Sequence, residues 1–365
     1  MHGRGEEDSM RATFVTLALV AGALSARGGQ SVHDAAPKRF GTTFSHRELE
    51  ARNLDWRKAL DDMDALGFNF LRIGAYWDEI EPTEGKYDFF DLDDLIDRAD
   101  KKGYELLLSV GMKAPRWPEY HIPAWAAPHL DAWGQLEETL TIPFFNVKLG
   151  AEVSKDQDLR RRVLAFVKAT VDHVKSLPQA KAIVAWQVEN EPMDKAGPDR
   201  DWIGADFVAE EARLIRQEDP TRLLVVNCWS EDQRIASFPW TDGDYDVRNA
   251  LDVGDVLGLD TYKGVGDVPG NQADVQARCV DRPREGMAKA LARGKDAWIV
   301  ESQAEGWGSY QPTPDDVTWI VDQHLANGYK TILLWGFESW YQAKVQSNDT
   351  RLWDCAKDLA AKVLR

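Results

Sequence analysis

The sequence predicts a single-domain α/β fold, a (β/α)8 barrel (TIM barrel), on three observations. Eight short apolar segments recur between residues 39 and 336. Longer segments with helical periodicity separate them. No glycine-rich phosphate loop follows the first segment, which weakens the competing choice of a doubly wound open sheet.

The strand candidates are RFGTTF (39–44), FNFLRIG (68–74), YELLLSV (104–110), AIVAWQV (182–188), RLLVVNC (222–228), DVLGLDT (255–261), AWIVES (297–302) and KTILLWG (330–336). Strands that are apolar throughout are buried on both faces and belong to a parallel sheet. Between them lie amphipathic stretches such as NLDWRKALDDMDALG, DLDDLIDRADKKG, DLRRRVLAFVKATVDHVKS and DWIGADFVAEEARLIRQEDP. Two end at Gly67 and Gly103, the residue type expected just past a helix C-terminus. Eight such units in roughly 300 residues make a barrel. One connection is unusual. Residues 110–145, after the third strand, are rich in Pro and Trp, and long loops on that face generally shape a binding cleft.

The chain begins MHGRGEEDSMRATFVTLALVAGALSARGGQS. Phe14 to Leu24 is apolar but too short to span a bilayer. Arg11 precedes it, and Ala23, Ser25 and Ala26 lie at its end, the order of a secretory signal peptide. Glu6, Glu7 and Asp8 fit poorly in such a signal, and a start at Met10 would remove them. The expected organisation is a signal peptide or leader over 1–26, a linker over 27–38, a barrel over 39–365, and export to the periplasm or the exterior. An uncleaved anchor is the alternative.

The 365 residues are 44% hydrophobic and 29% charged, with a formal net charge of -17. That charge argues against nucleic acid or anionic lipid as partners. Fifteen tryptophans are many, and their flat faces suit sugar rings as well as cores. Cys228, Cys279 and Cys355 are widely spaced, and the seven histidines include no HExxH. No metal or other cofactor is expected. The oligomeric state is open.

In such a barrel the active site lies at the C-terminal ends of the strands. The second strand ends near Arg72 and runs on to Trp77. The fourth ends in WQVENEP, with Glu189, Asn190 and Glu191. The sixth ends at Asp260-Thr261-Tyr262, the seventh at Glu301 and the eighth at Trp335. Carboxylates are costly to desolvate, so their place at the end of a buried strand asks for a reason. Two carboxyl groups from different strands are what glycoside hydrolysis needs: one protonated to serve the leaving oxygen, one ionised to attack the anomeric carbon. A neighbouring cation and hydroxyl favour the ionised form; burial and like charge favour the protonated one.

With these elements in this order, residues 40–340 resemble the clan A retaining glycoside hydrolases, which include cellulases, mannanases and β-galactosidases. The resemblance implies that Glu191 in Asn190-Glu191-Pro192 is the acid/base and Glu301 in WIVESQAEGWG the nucleophile. It implies that Arg72 and Tyr262 contact that nucleophile and that Trp335 is a sugar platform. WDEIEPTEGKYDF, which starts at Trp77, resembles the loop after the second strand of these enzymes. QVENE is closer to family 35 and 42 β-galactosidases, and the proline that follows is closer to family 5 cellulases. The expected activity is hydrolysis of β-linked glycans or β-glycosides with a carbohydrate substrate. The alternative is a catalytically silent, glycan-binding barrel. Glu189 either faces a neighbouring strand or binds a sugar hydroxyl. Glu305 competes with Glu301 for the nucleophile's role.

Overall fold

The computed structural model describes residues 32–126, 139–142, 145–148, 150–195, 201–229, 245–264 and 272–365. The chain divides into two units, Met1–Ala36 and Pro37–Arg365. The expected leader over 1–26 lies outside the described residues. One helical turn, Val32–Ala35, is described in the first unit.

In the second unit eight parallel strands close into a barrel: β1 Arg39–Thr43, β2 Phe70–Gly74, β3 Glu105–Val110, β6 Ile183–Val188, β7 Leu223–Trp229, β8 Val256–Thr261, β9 Asp296–Gln303 and β10 Thr331–Trp335. A two-stranded antiparallel hairpin, β4 Thr139–Ile142 and β5 Phe145–Lys148, lies in the long connection after β3. Each predicted segment overlaps one barrel strand, with ends that agree to within two residues.

The helices follow their local signals. Asp55 caps Trp56–Asp62 by accepting from the N–H groups of Arg57 and Lys58. Asp156 does the same for Gln157–Ser176 through Asp158 and Leu159. Gly67 and Gly103 take left-handed φ values of 73° and 81° just past the turns they end.

Alternation along the strands divides the core in two. One cluster, Phe70, Leu107, Ala185, Val225, Val256, Trp298, Val300 and Leu333, takes residues from seven of the eight strands and fills the barrel interior. Intervening residues such as Leu71, Leu106, Val226 and Ile299 belong to the larger cluster between strands and helices. One irregularity bears on the site. Leu259 pairs with Ile299, but Asp260 pairs with Glu301; on the other side Ile332 pairs with Ile299 and Leu334 with Ser302. Both neighbours of β9 therefore register one extra residue in it, a β-bulge at Val300.

Candidate active site

The site is the layer directly above the interior cluster. Arg72 follows Phe70 by two positions, Gln187 follows Ala185 and Asn227 follows Val225, so strand alternation directs all three into the barrel. Arg72 is fully buried. Its Nε donates to Gln187 Oε1 at 2.7 Å, its Nη1 to Glu301 Oε1 at 2.5 Å and its Nη2 to Asn190 Oδ1. Tyr262 donates its hydroxyl to the other oxygen of Glu301. Burial, with the charge of Glu301 next, pushes the Tyr262 phenol well above its ordinary value, so it stays a donor. Glu301 thus meets a guanidinium on one oxygen and a phenol on the other.

β6 ends at Val188, and the backbone beyond it is strained. Glu189 and Glu191 have φ of 61° and 42°, values that cost side-chain-bearing residues about 1–3 kcal/mol each. The turn is held from outside. Asn227 Oδ1 accepts the Glu191 N–H at 2.9 Å, and Lys113 Nζ donates to the Glu191 carbonyl at 2.7 Å. Asn190 Oδ1 also accepts from Asn227 Nδ2 at 3.1 Å. With Oδ1 so occupied, Asn190 offers a ligand its NH2 group.

One carboxylate oxygen from each of Glu191, Asp260 and Glu301 lies within 4.8 Å of the others. All three residues are buried. Burial holds the Glu191 carboxyl well above the usual carboxylate range, and the charges of Asp260 and Glu301 push the same way. The two glutamates therefore occupy opposite environments: one lacks a cation, the other touches Arg72. A cavity of about 260 Å³ opens over them, lined also by Asn190, Tyr262, Trp335 and Trp229.

Six of the eight expected site residues converge here, and two do not. Trp77 has no exposed surface; its ring stacks on Phe166 at 5.5 Å, and its Nε1 donates to Glu81 at 2.8 Å. It is core, packed between Phe166 and Trp125. Glu189 is also fully buried, because at the end of β6 its side chain faces β3 instead of the cavity. Its carboxylate accepts from the N–H groups of Met112 at 2.8 Å and Lys113 at 2.5 Å, and a Cβ on Gly111 would strike it. Trp125 packs edge-on against Trp77, whereas Trp117 on the same loop lines the cavity; Trp133 lies outside the described residues. His121 is buried against Arg47 and the ring of Tyr76.

Trp335 lines the cavity with the Arg116 guanidinium 4.1 Å from its ring centroid. Arg116 also pairs with Glu305 and Glu338, and Arg52 with Glu305 at 3.0 Å. Glu305 is thus bound into an ion network on the rim, while Glu301 sits beside Glu191. Sequence reading missed Arg116, Gln187, Asn227 and Asp260 as site residues. For Gln187 and Asn227 a signal existed: polar side chains two positions beyond small or apolar inward residues of buried strands.

The chain resembles known proteins in part. The sequence profile of the glycoside hydrolase family 42 β-galactosidases matches residues 50–199. The β-galactosidase BgaA of Clostridium cellulovorans is 26% identical over 137 residues, 37% of this chain and 19% of that protein. BbgII of Bifidobacterium bifidum is 31% identical over 143 residues, 37% of this chain and 18% of that protein. The aligned stretches thus span less than a fifth of these relatives' own length. Among solved structures, a cold-adapted β-galactosidase from Rahnella sp. R3 superposes with a TM-score of 0.63 at 14% identity, over 91% of this chain and 56% of that one. A GH5_18 protein from Bifidobacterium longum gives 0.64 at 14%, over 90% and 79%. Fold and local sequence agree: the chain is a (β/α)8 barrel whose residues 50–199 match the sequence profile of the family 42 β-galactosidases.

Proposed function

We propose that the chain is a retaining β-glycoside hydrolase, with Glu191 as acid/base and Glu301 as nucleophile. The observation that carries this reading is the pairing of unlike environments. Glu191 is buried among acids and holds its proton, and Glu301 lies within 4.8 Å of it against Arg72 and Tyr262. Retaining pairs stand about 5–5.5 Å apart, and inverting pairs need about 6.5–9.5 Å to admit a water.

In the first step Glu301 attacks the anomeric carbon while Glu191 protonates the departing oxygen. In the second Glu191, now a carboxylate, takes a proton from the water that displaces Glu301. The Asn190 NH2 is placed to hold a sugar hydroxyl, and Trp335 gives the ring an apolar wall. Relatives named as β-galactosidases, and an exo-β-1,4-mannosidase of similar fold from an Opitutaceae bacterium (TM-score 0.62, 18% identity, over 92% of this chain and 62% of that one), make β-galactosides and β-mannosides the first substrates to try. The test is a panel of nitrophenyl β-glycosides, with the anomer of the first product read by NMR. An inverted product would refute the mechanism. Binding of these sugars without turnover would favour the silent barrel. The leader-like start supports export as well; N-terminal sequencing of exported protein that began at Met1 or Met10 would refute that.

A further inference from the structure

Asp260 is fully buried at the end of β8, and the two-carboxylate mechanism gives it no task. One of its oxygens, Oδ2, accepts from Asn227 Nδ2 at 2.6 Å. The other, Oδ1, is buried without a donor, and so is Glu191 Oε1. Two ionised carboxylates so placed would leave two buried acceptors facing like charge, and an unsatisfied buried acceptor bears its full desolvation penalty. One proton between them satisfies both, and a carboxylate oxygen of Glu191 lies within 4.8 Å of one of Asp260.

We propose that Asp260 and Glu191 share one proton, and that Asp260 is the positioning residue that keeps Glu191 protonated until a glycosidic oxygen arrives. The inference rests on the acid/base reading of Glu191. Asp260 sets the charge against which the acid holds its proton, while Asn227 fixes both partners. Its Nδ2 donates to Asp260, and its Oδ1 accepts from the Glu191 N–H. Asn227 cannot lose charge, so the pair titrates against a constant frame.

The surrounding charges favour this arrangement. From β9 Glu301 faces both members, and from β2 Arg72 offsets part of that field at Asp260. Asp194 beyond β6 and Glu119 on the loop after β3 add negative charge at Glu191. Lys113 spends its ammonium on the Glu191 carbonyl, not on the carboxyl, and Tyr262 donates to Glu301. Among the described residues Arg72 bonds to the nucleophile and offsets only part of the negative charge at Asp260. During the first step the proton passes from Glu191 to the leaving oxygen. The second step returns one from water to the pair, so the balance closes without another reactant.

The test titrates the 13C-labelled carboxyl groups by NMR in the full chain and compares Asp260→Asn and Asp260→Ala with the wild type. In the wild type the Glu191 and Asp260 signals should move together in two coupled steps, a result that needs no variant to fold. In both variants the Glu191 signal should titrate at least about one unit lower, since a like charge has gone. The alkaline limb of kcat/KM on the nitrophenyl glycoside the wild type cleaves should fall by the same shift. Independent titration of the two signals in the wild type, or a limb that stays in place while kcat drops, would overturn the proposal and leave Asp260 a structural residue. Coupled signals in a protein that cleaves no glycoside would instead sustain the pair and refute the function proposed for it.

Discussion

Arg72 and Glu301 meet at 2.5 Å in a layer where the arginine has no exposed surface, and this ion pair organises the candidate site. The same guanidinium holds Gln187 and Asn190, so it fixes two strands against a third. Arg72→Lys keeps the charge but cannot bond all three partners. It should lower kcat about 100-fold or more, with a smaller change in KM. Arg72→Met should also destabilise the fold by about 3–5 kcal/mol, because it leaves Glu301 buried without its partner. Steady-state kinetics and denaturant melts separate the two; a Lys variant with wild-type kcat would refute the geometric role.

The two glutamates should fail differently. Glu301→Ala should abolish turnover on every substrate, since no covalent intermediate forms. Glu191→Ala should hurt poor leaving groups most and spare the first step on activated aryl glycosides, with azide rescuing the second. Equal loss on good and poor leaving groups without azide rescue would remove the acid/base assignment.

Trp77 and Trp335 offer a contrast between core and cleft. Trp77→Ala should cost about 3–5 kcal/mol of stability. Trp77→Phe should restore most of that with KM unchanged. Trp335→Ala should raise KM several-fold. Thermal melts with KM values test the pair, and a Trp77→Phe enzyme that folds well but binds substrate poorly would return Trp77 to the site.

Behind the cavity, Glu189 and Glu211 form a fully buried carboxyl pair. Burial pushes Glu189 up to about 7, and burial together with the charge of Glu189 pushes Glu211 well above its ordinary range. Unfolded glutamates titrate near ~4.3, so between that pH and the folded values the native state binds the extra protons. Their contribution to stability is complete below ~4.3 and is lost as pH rises through about 7. Glu211→Gln keeps a donor for Glu189 and removes one titrating group. Its Tm should fall less than that of the wild type between pH 5 and 8, by a few degrees; parallel curves would disprove the pairing.

How much of this could be read in the sequence depends on what each feature needs. The strands were legible because burial on both faces writes continuous apolar runs such as YELLLSV. Glu191 and Glu301 were legible because a carboxylate that abuts such a run is costly without a task. Trp77 misled because aromatic content does not say which way a short helix turns, and here it turns toward Phe166. Glu189 stayed open between a neighbouring strand and a sugar because only the left-handed turn at the end of β6, which sends neighbouring carboxylates to opposite sides, decides it. Arg116 was illegible in principle: it reaches Trp335 and Glu338 across more than 200 positions, from a loop with no periodicity.

The extra residue in β9 gives the site an arithmetic. Trp298 and Val300 point into the barrel and Ile299 points out, so an unbroken strand would send Glu301 outward with Ile299. The bulge resets the count, and Glu301 turns inward to Arg72. Whether this strand presents a nucleophile or merely another residue to the helix layer is thus a matter of odd against even. Deletion of Val300 alone would set Glu301 directly after the outward Ile299, so plain alternation would keep it facing inward while the barrel core lost one side chain.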